Sequence, residues 1–216
     1  MSTGDKIPVD EALVFGTLVG LAGWCAWEYW APGYYIDQTI WVCQISGYSS
    51  LGFLALSLLF GPVLRVGSWL NVRVGFAASA RFARNTGIAA GLAALLHTVI
   101  VLTTYLEDNW YAVLNWPYLQ SGGLALAIMV LLLIGSIKQL MSLARWQLWK
   151  PFFRLSSIAA LFVLHHMLYS PFASRRWTIG LYSAALVIWL LRFLPVRASI
   201  DSPPVATPEV AAKSVT

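Results

Sequence analysis

Charge is the scarcest feature of this sequence. Only 11% of its 216 residues are charged and 59% are hydrophobic, whereas a soluble domain carries roughly 25% charged residues. This composition excludes a soluble globular protein and indicates an integral membrane protein of one domain. The net charge of +5 does not predict a nucleic-acid partner, because the basic residues lie between apolar segments, as they do in membrane proteins.

Several common signals are also missing. The residues before the first apolar segment, MSTGDKIPVDE, are more acidic than basic, and no small-residue cleavage site follows the segment itself, so we expect it to stay in the membrane. No Gly-rich dinucleotide-binding motif occurs. The two cysteines, Cys25 and Cys43, form no CxxC pair and are interpreted as ordinary thiols. Any chemistry is therefore predicted to lie among the apolar segments.

Six segments meet the length of about 20 apolar residues that a bilayer crossing requires. They lie near 12–30, 47–69, 86–106, 121–142, 153–172 and 177–195. Backbone groups in lipid must bond internally, so each segment is predicted to be a helix. We therefore expect an all-α protein with a cytoplasmic N-terminus over 1–11, a six-helix transmembrane domain over 12–198, and a disordered cytoplasmic tail over 199–216.

The basic residues indicate an orientation for this bundle. Nearly all of the 14 Lys and Arg residues fall on one side of the predicted spans. The positive-inside rule then places both termini in the cytoplasm. We expect a multi-pass protein of the bacterial inner membrane, in contact with membrane lipid. Arg175 and Arg176 are the exceptions, because they fall on the opposite, outer side.

The sequence has only three histidines, and all of them lie in the predicted third and fifth spans: His97, His165 and His166. Ionisable residues in a membrane are costly and usually have a partner or a function. At about 1.5 Å of rise per residue, His97 lies roughly 15 Å and His166 roughly 14 Å from the outer edge. The two spans run in the same direction, so their histidines match in depth. The alternative is a neutral histidine that hydrogen-bonds a neighbouring helix.

Two imidazoles at one depth can hold a haem between them, and two axial histidines leave no open position on its iron. We therefore predict a haem site between the third and fifth helices, with His97 and either His166 or His165 as iron ligands. A zinc or copper site would usually require more ligands. Arg175 and Arg176 are interpreted either as contacts to lipid phosphate or as partners of the haem propionates.

Three stretches of this sequence resemble ferric-reductase-like transmembrane domains. They are ARNTGIAAGLAALLH at 83–97, WKPFFRLSSIAALFVLHH at 149–166 and GYSSLGFLALSLLFGPVLRV at 47–66. The resemblance extends from about residue 45 to about residue 170. Within this family, the chain resembles the small haem-binding membrane subunit of the bacterial methionine sulfoxide reductase system.

The resemblance implies one b-type haem with His97 and His166 as ligands, because the positions of the family's second, inner haem hold Ala83 and Phe153. It implies an electron-transfer subunit of an oxidoreductase. Quinol or a flavin reductase would be the donor, quinone or FMN a further cofactor, and a redox protein at the outer face the acceptor. The alternative is a non-catalytic membrane anchor or assembly protein with a degenerate haem site.

Overall fold

The protein is all-helical in a computed structural model. The structure describes residues 9–30, 36–70, 76–107, 109–136 and 146–191, together with Phe193 and Pro195. Every regular element in these ranges is a helix, which confirms the predicted all-α class. Residues 1–8 and the predicted tail over 199–216 lie outside the described residues.

The helices have the following bounds. They are α1 (Val9–Trp30), α2 (Ile36–Leu58), α3 (Phe60–Trp69), α4 (Phe76–Ile100), α5 (Tyr111–Asn115), α6 (Pro117–Gly135), α7 (Trp146–Tyr169) and α8 (Arg175–Leu191). A π-helix, Val101–Tyr105, continues α4 without a break. Its closing backbone bond runs from the Leu106 nitrogen to the Val101 oxygen at 2.9 Å. Such π-turns often occur at functional sites.

Three stretches of the described residues are long and apolar enough to cross a membrane: Ile40–Leu58, Ser79–Tyr105 and Pro117–Gly135. Two shorter apolar stretches, Phe15–Trp24 and Thr178–Leu191, lie in α1 and α8. The apolar helices agree with an integral membrane protein. The count of six spans stays a prediction.

The predicted second span, 47–69, is wrong in its boundaries. Helix α2 begins at Ile36 and ends at Leu58, and α3 follows as a separate helix after Leu59. The physical reason is Pro62, which has no N–H to donate to the carbonyl one turn earlier and therefore interrupts the helical ladder. Pro62 is buried at this junction. The loop between the third and fourth predicted spans also contains the short helix α5.

Two helix pairs form the bundle: α2 packs mainly on α4, and α6 mainly on α7. Contacts between α4 and α6, and between α2 and α7, join the pairs. Small buried residues such as Ala89, Ala90 and Ala93 let α4 approach its neighbours closely. Ser50 Oγ donates to the Ala90 carbonyl at 3.0 Å, which fixes the register between α2 and α4. This register determines what lies opposite the His97 side chain.

Candidate functional site: a paired-imidazole cavity

His97 on α4 and His166 on α7 face one another inside the bundle. Their ring centroids are 6.4 Å apart and their planes are inclined at 79°. For a metal–nitrogen bond of about 2.0 Å, two imidazoles on opposite sides of one metal ion have ring centroids roughly 6 Å apart. The observed centroid separation is close to this value.

The hydrogen bonds of Ser46 determine which nitrogen of His97 carries the proton. Ser46 Oγ lies 3.0 Å from His97 Nδ1 and also donates to the Cys43 carbonyl at 3.0 Å. A serine hydroxyl has one hydrogen, so Ser46 can only accept from His97. The network therefore assigns the proton to Nδ1. The other nitrogen, Nε2, keeps its lone pair and is able to bind a metal.

The same assignment holds for His166, through a different kind of acceptor. His166 Nδ1 lies 2.6 Å from the backbone carbonyl oxygen of Tyr118. A carbonyl only accepts hydrogen bonds, so the proton again lies on Nδ1 and the Nε2 lone pair is available. Metal-binding histidines usually donate their second ring N–H to a neighbouring acceptor in this way, which fixes both the tautomer and the ring orientation.

Two glycines provide the space in which the imidazoles lie. A Cβ atom at Gly47 would lie 3.1 Å from His97 Cε1, and one at Gly122 would lie 2.8 Å from His166 Nδ1. Real Cβ contacts essentially never fall below 3.0 Å. Each ring therefore packs directly on the backbone of a neighbouring helix, α2 for His97 and α6 for His166. Any larger residue at these positions would displace the ring.

Both histidines line a cavity of about 510 Å³. This volume is within the range of about 300–1,000 Å³ that is usual for small-molecule and cofactor sites. Its walls are mostly apolar, and they include Ala94, Val101, Leu102, Leu119, Leu126, Met129, Val163 and Met167. The phenol oxygen of Tyr118 is also buried there, near the phenol of Tyr105. It is a polar atom that a bound group can use.

The structure does not bring His165 to this site. His165 is exposed on the surface of α7, and its ring packs on Tyr169 with centroids 4.7 Å apart. Arg176 is also exposed and is not part of the cavity wall. The side chain of Arg175 lies outside the described residues. Of the predicted site residues, His97 and His166 are therefore the pair that the fold assembles.

Sequence reasoning did not identify Ser46, Tyr118, Gly47 or Gly122. The predicted second span began at residue 47, which placed Ser46 outside the membrane. A signal was present at Gly122 and Gly123, because adjacent glycines in a helix interior cost roughly 1 kcal/mol each relative to alanine. No group of three or more His, Cys, Asp or Glu residues that could hold a metal occurs among the described residues.

Together, the helices and the site define an all-helical integral membrane protein with a cavity lined by two histidines, each hydrogen-bonded through its Nδ1 atom. Residues 46–173 match the family described as the ferric reductase like transmembrane component. The match covers more than half of the chain, which therefore belongs to this family. A comparison with curated proteins found no match.

Proposed function

We propose that this protein is a membrane electron-transfer subunit that binds one b-type haem between His97 and His166. One observation carries the proposal: two imidazoles, each with its Nδ1 proton committed to an acceptor, lie with centroids 6.4 Å apart in an apolar cavity. Membership of the ferric reductase-like family supports a role in membrane electron transfer.

A bound haem would supply one-electron redox chemistry, with both axial positions of the iron taken by histidine. The residues of this chain would hold and tune the group. Ser46 and the Tyr118 carbonyl keep the two rings in the metal-binding tautomer, and the cavity wall excludes water. The Tyr118 hydroxyl is suited to hydrogen-bond a polar substituent of the porphyrin. Arg175 and Arg176 at the start of α8 are proposed to pair with propionates or with lipid phosphate.

We propose a single haem, because the positions of a second ligand pair hold Ala83 and Phe153. A single haem in the outer half of the membrane would lie far from a cytoplasmic flavin. Quinol is therefore our favoured donor, and a flavin reductase or bound FMN is the second choice. The chain has no substrate chemistry of its own in this proposal, so a redox protein at the outer face would be the acceptor.

Several finer features belong to the same proposal. They are six membrane spans within 12–198, both termini in the cytoplasm, a disordered tail over 199–216, and a location in the bacterial inner membrane. The haem-binding subunit of the methionine sulfoxide reductase system is proposed as a relative within the family. These features rest on the distribution of Lys and Arg and on the sequence resemblance.

The experiment is a visible spectrum of the purified full-length protein, with haem quantified per chain. We expect sharp reduced α and Soret bands and one haem per chain. His97→Ala and His166→Ala should each abolish these bands, because one imidazole alone leaves the iron half-ligated. His165→Ala is the matched control and should retain most of the haem, because its ring lies outside the cavity.

Two results would overturn this proposal. A wild-type protein that stays colourless after expression with sufficient haem would favour the membrane anchor or assembly protein. Loss of haem in His165→Ala, with retention in His166→Ala, would show that the ligand choice is wrong. Circular dichroism of each variant shows whether the helices are still formed.

A further inference from the structure

Two of the described residues that line the cavity are also exposed on the outside of the protein. They are Trp110, which is 63% exposed, and Leu114 of α5, which is 69% exposed. Every other described residue of the cavity lining is buried or half-buried. At Trp110 and Leu114, a single side chain therefore separates the cavity from the exterior. We call these two residues the thin wall of the cavity.

The packing of α5 holds the thin wall in place. Ala112, in the middle of this part of the chain, belongs to an apolar cluster whose other buried members are Leu102, Leu106 and Leu119. Val113 packs against the same cluster and also lines the cavity. The short helix is closed by a hydrogen bond from the Trp116 nitrogen to the Ala112 carbonyl at 3.0 Å. The thin wall is therefore part of the packed fold.

The loop that follows α7 closes the cavity differently. Phe172 lines the cavity, and its ring packs on Tyr105 with centroids 4.9 Å apart. The Phe172 carbonyl also accepts a hydrogen bond from Gln44 Nε2 at 2.7 Å. None of the lining residues in this loop is exposed. Among the described residues, the thin wall is thus confined to Trp110 and α5.

The position of the thin wall matters for a redox group in the cavity. Electron transfer through protein slows steeply with distance, so an acceptor takes an electron where it comes nearest to the donor group. Redox proteins often meet through small, transient interfaces. A single exposed turn, such as residues 110–114, is enough to form part of such an interface.

We propose that the thin wall formed by Trp110 and Leu114 is the place where an electron leaves the haem for the acceptor. One electron passes from the reduced haem to the oxidised acceptor, so the iron changes from ferrous to ferric and no bond forms or breaks. Trp110 and Leu114 keep the distance short and exclude water, and they are not themselves oxidised. The proposal rests on the proposed function, because it assigns the exit of the same haem.

The test places a bulky group on the thin wall of the full-length haem protein. Leu114→Cys is labelled with a polyethylene glycol maleimide, in a chain whose Cys25 and Cys43 are replaced by serine. The reduced protein is mixed with ferricyanide in a stopped-flow instrument, and oxidation is followed at the Soret band. We expect the label to slow oxidation several-fold relative to the unlabelled variant, because ferricyanide is kept away from this wall.

Tyr169→Cys with the same label is the matched control. Tyr169 is 60% exposed and does not line the cavity, so its label should leave the oxidation rate unchanged. If Leu114→Cys binds no haem, the label is placed on Trp110→Cys, at the other residue of the thin wall.

Equal rates for the labelled and unlabelled thin-wall variants would overturn the exit, and so would an equal slowing by the label at Tyr169→Cys. The visible spectrum of the same samples separates this failure from that of the proposed function. Haem bands together with an unaffected rate refute the exit alone. A wild-type protein that binds no haem refutes the proposed function and the exit with it.

Discussion

Replacement of Gly122 by alanine is expected to weaken haem binding by displacing the His166 ring. The new Cβ would lie 2.8 Å from Nδ1 and 3.1 Å from Cε1 of His166. An ordinary contact begins at about 3.4 Å, so the ring must move by several tenths of an ångström. Metal sites tolerate deviations of about 0.2 Å in ligand distance. The 2.6 Å bond to the Tyr118 carbonyl would also lengthen.

The magnitude follows from this loss of orientation. Disturbing the group that orients a metal ligand typically lowers metal affinity by about 10- to 100-fold. Alanine is a better helix former than glycine by about 1 kcal/mol, so the helix itself should not be weakened. The assay is titration of the haem-free protein with haem, followed at the Soret band.

Gly123→Ala is the matched control for this experiment. A Cβ at Gly123 would lie 3.8 Å from Val113 Cγ1, which is an ordinary contact, and the residue is the immediate neighbour of Gly122. Its haem affinity should equal that of the wild type. Equal affinities for Gly122→Ala and Gly123→Ala would refute the view that His166 is packed on Gly122 when haem is bound.

Two further predictions address Ser46 and Glu107. Ser46→Ala removes the side-chain acceptor of the His97 Nδ1 proton and should weaken haem binding about 10- to 100-fold in the same titration. Ser183→Ala is the control, because its exposed hydroxyl on α8 bonds the Ile179 carbonyl away from the cavity, and an equal loss in both variants would contradict the assigned role of Ser46. Glu107 has a φ of 47°, so Glu107→Gly should relieve left-handed backbone strain and stabilise the fold by up to about 1 kcal/mol. The measurement is the free energy of unfolding in detergent. A clear destabilisation would show that the Glu107 side chain stabilises the turn.

The fold class could be predicted because the bilayer imposes it. A long apolar segment has no way to satisfy its backbone in lipid except as a helix, and the described residues are helical throughout their regular elements. The boundaries of the helices were less predictable than the fold class. Apolar composition continues across residue 59, whereas the helix does not, because an interruption at Pro62 changes hydrogen bonding without changing hydropathy.

The depth of the candidate site in the membrane could be predicted, but the direction in which each histidine points around its helix could not. Rise per residue gives the level of a histidine along its helix, and that estimate placed His97 and His166 together. It gives no reliable direction around the helix, where one residue corresponds to about 100°. This is why His165 and His166 could not be separated by depth. In the structure the His166 ring lines the cavity and the His165 ring lies on the surface.

The partners of the two histidines show why the site depends on the assembled bundle. His97 on α4 is oriented by Ser46 on α2, and His166 on α7 is oriented by the Tyr118 carbonyl at the start of α6. Each ring also packs on a glycine of the helix that orients it. In the proposed function, four helices must therefore be in register before the two lone pairs can meet one iron. A ligand that binds only the assembled bundle stabilises it by an amount that depends on the concentration and affinity of the ligand. Haem binding and bundle assembly are therefore coupled in the proposed function.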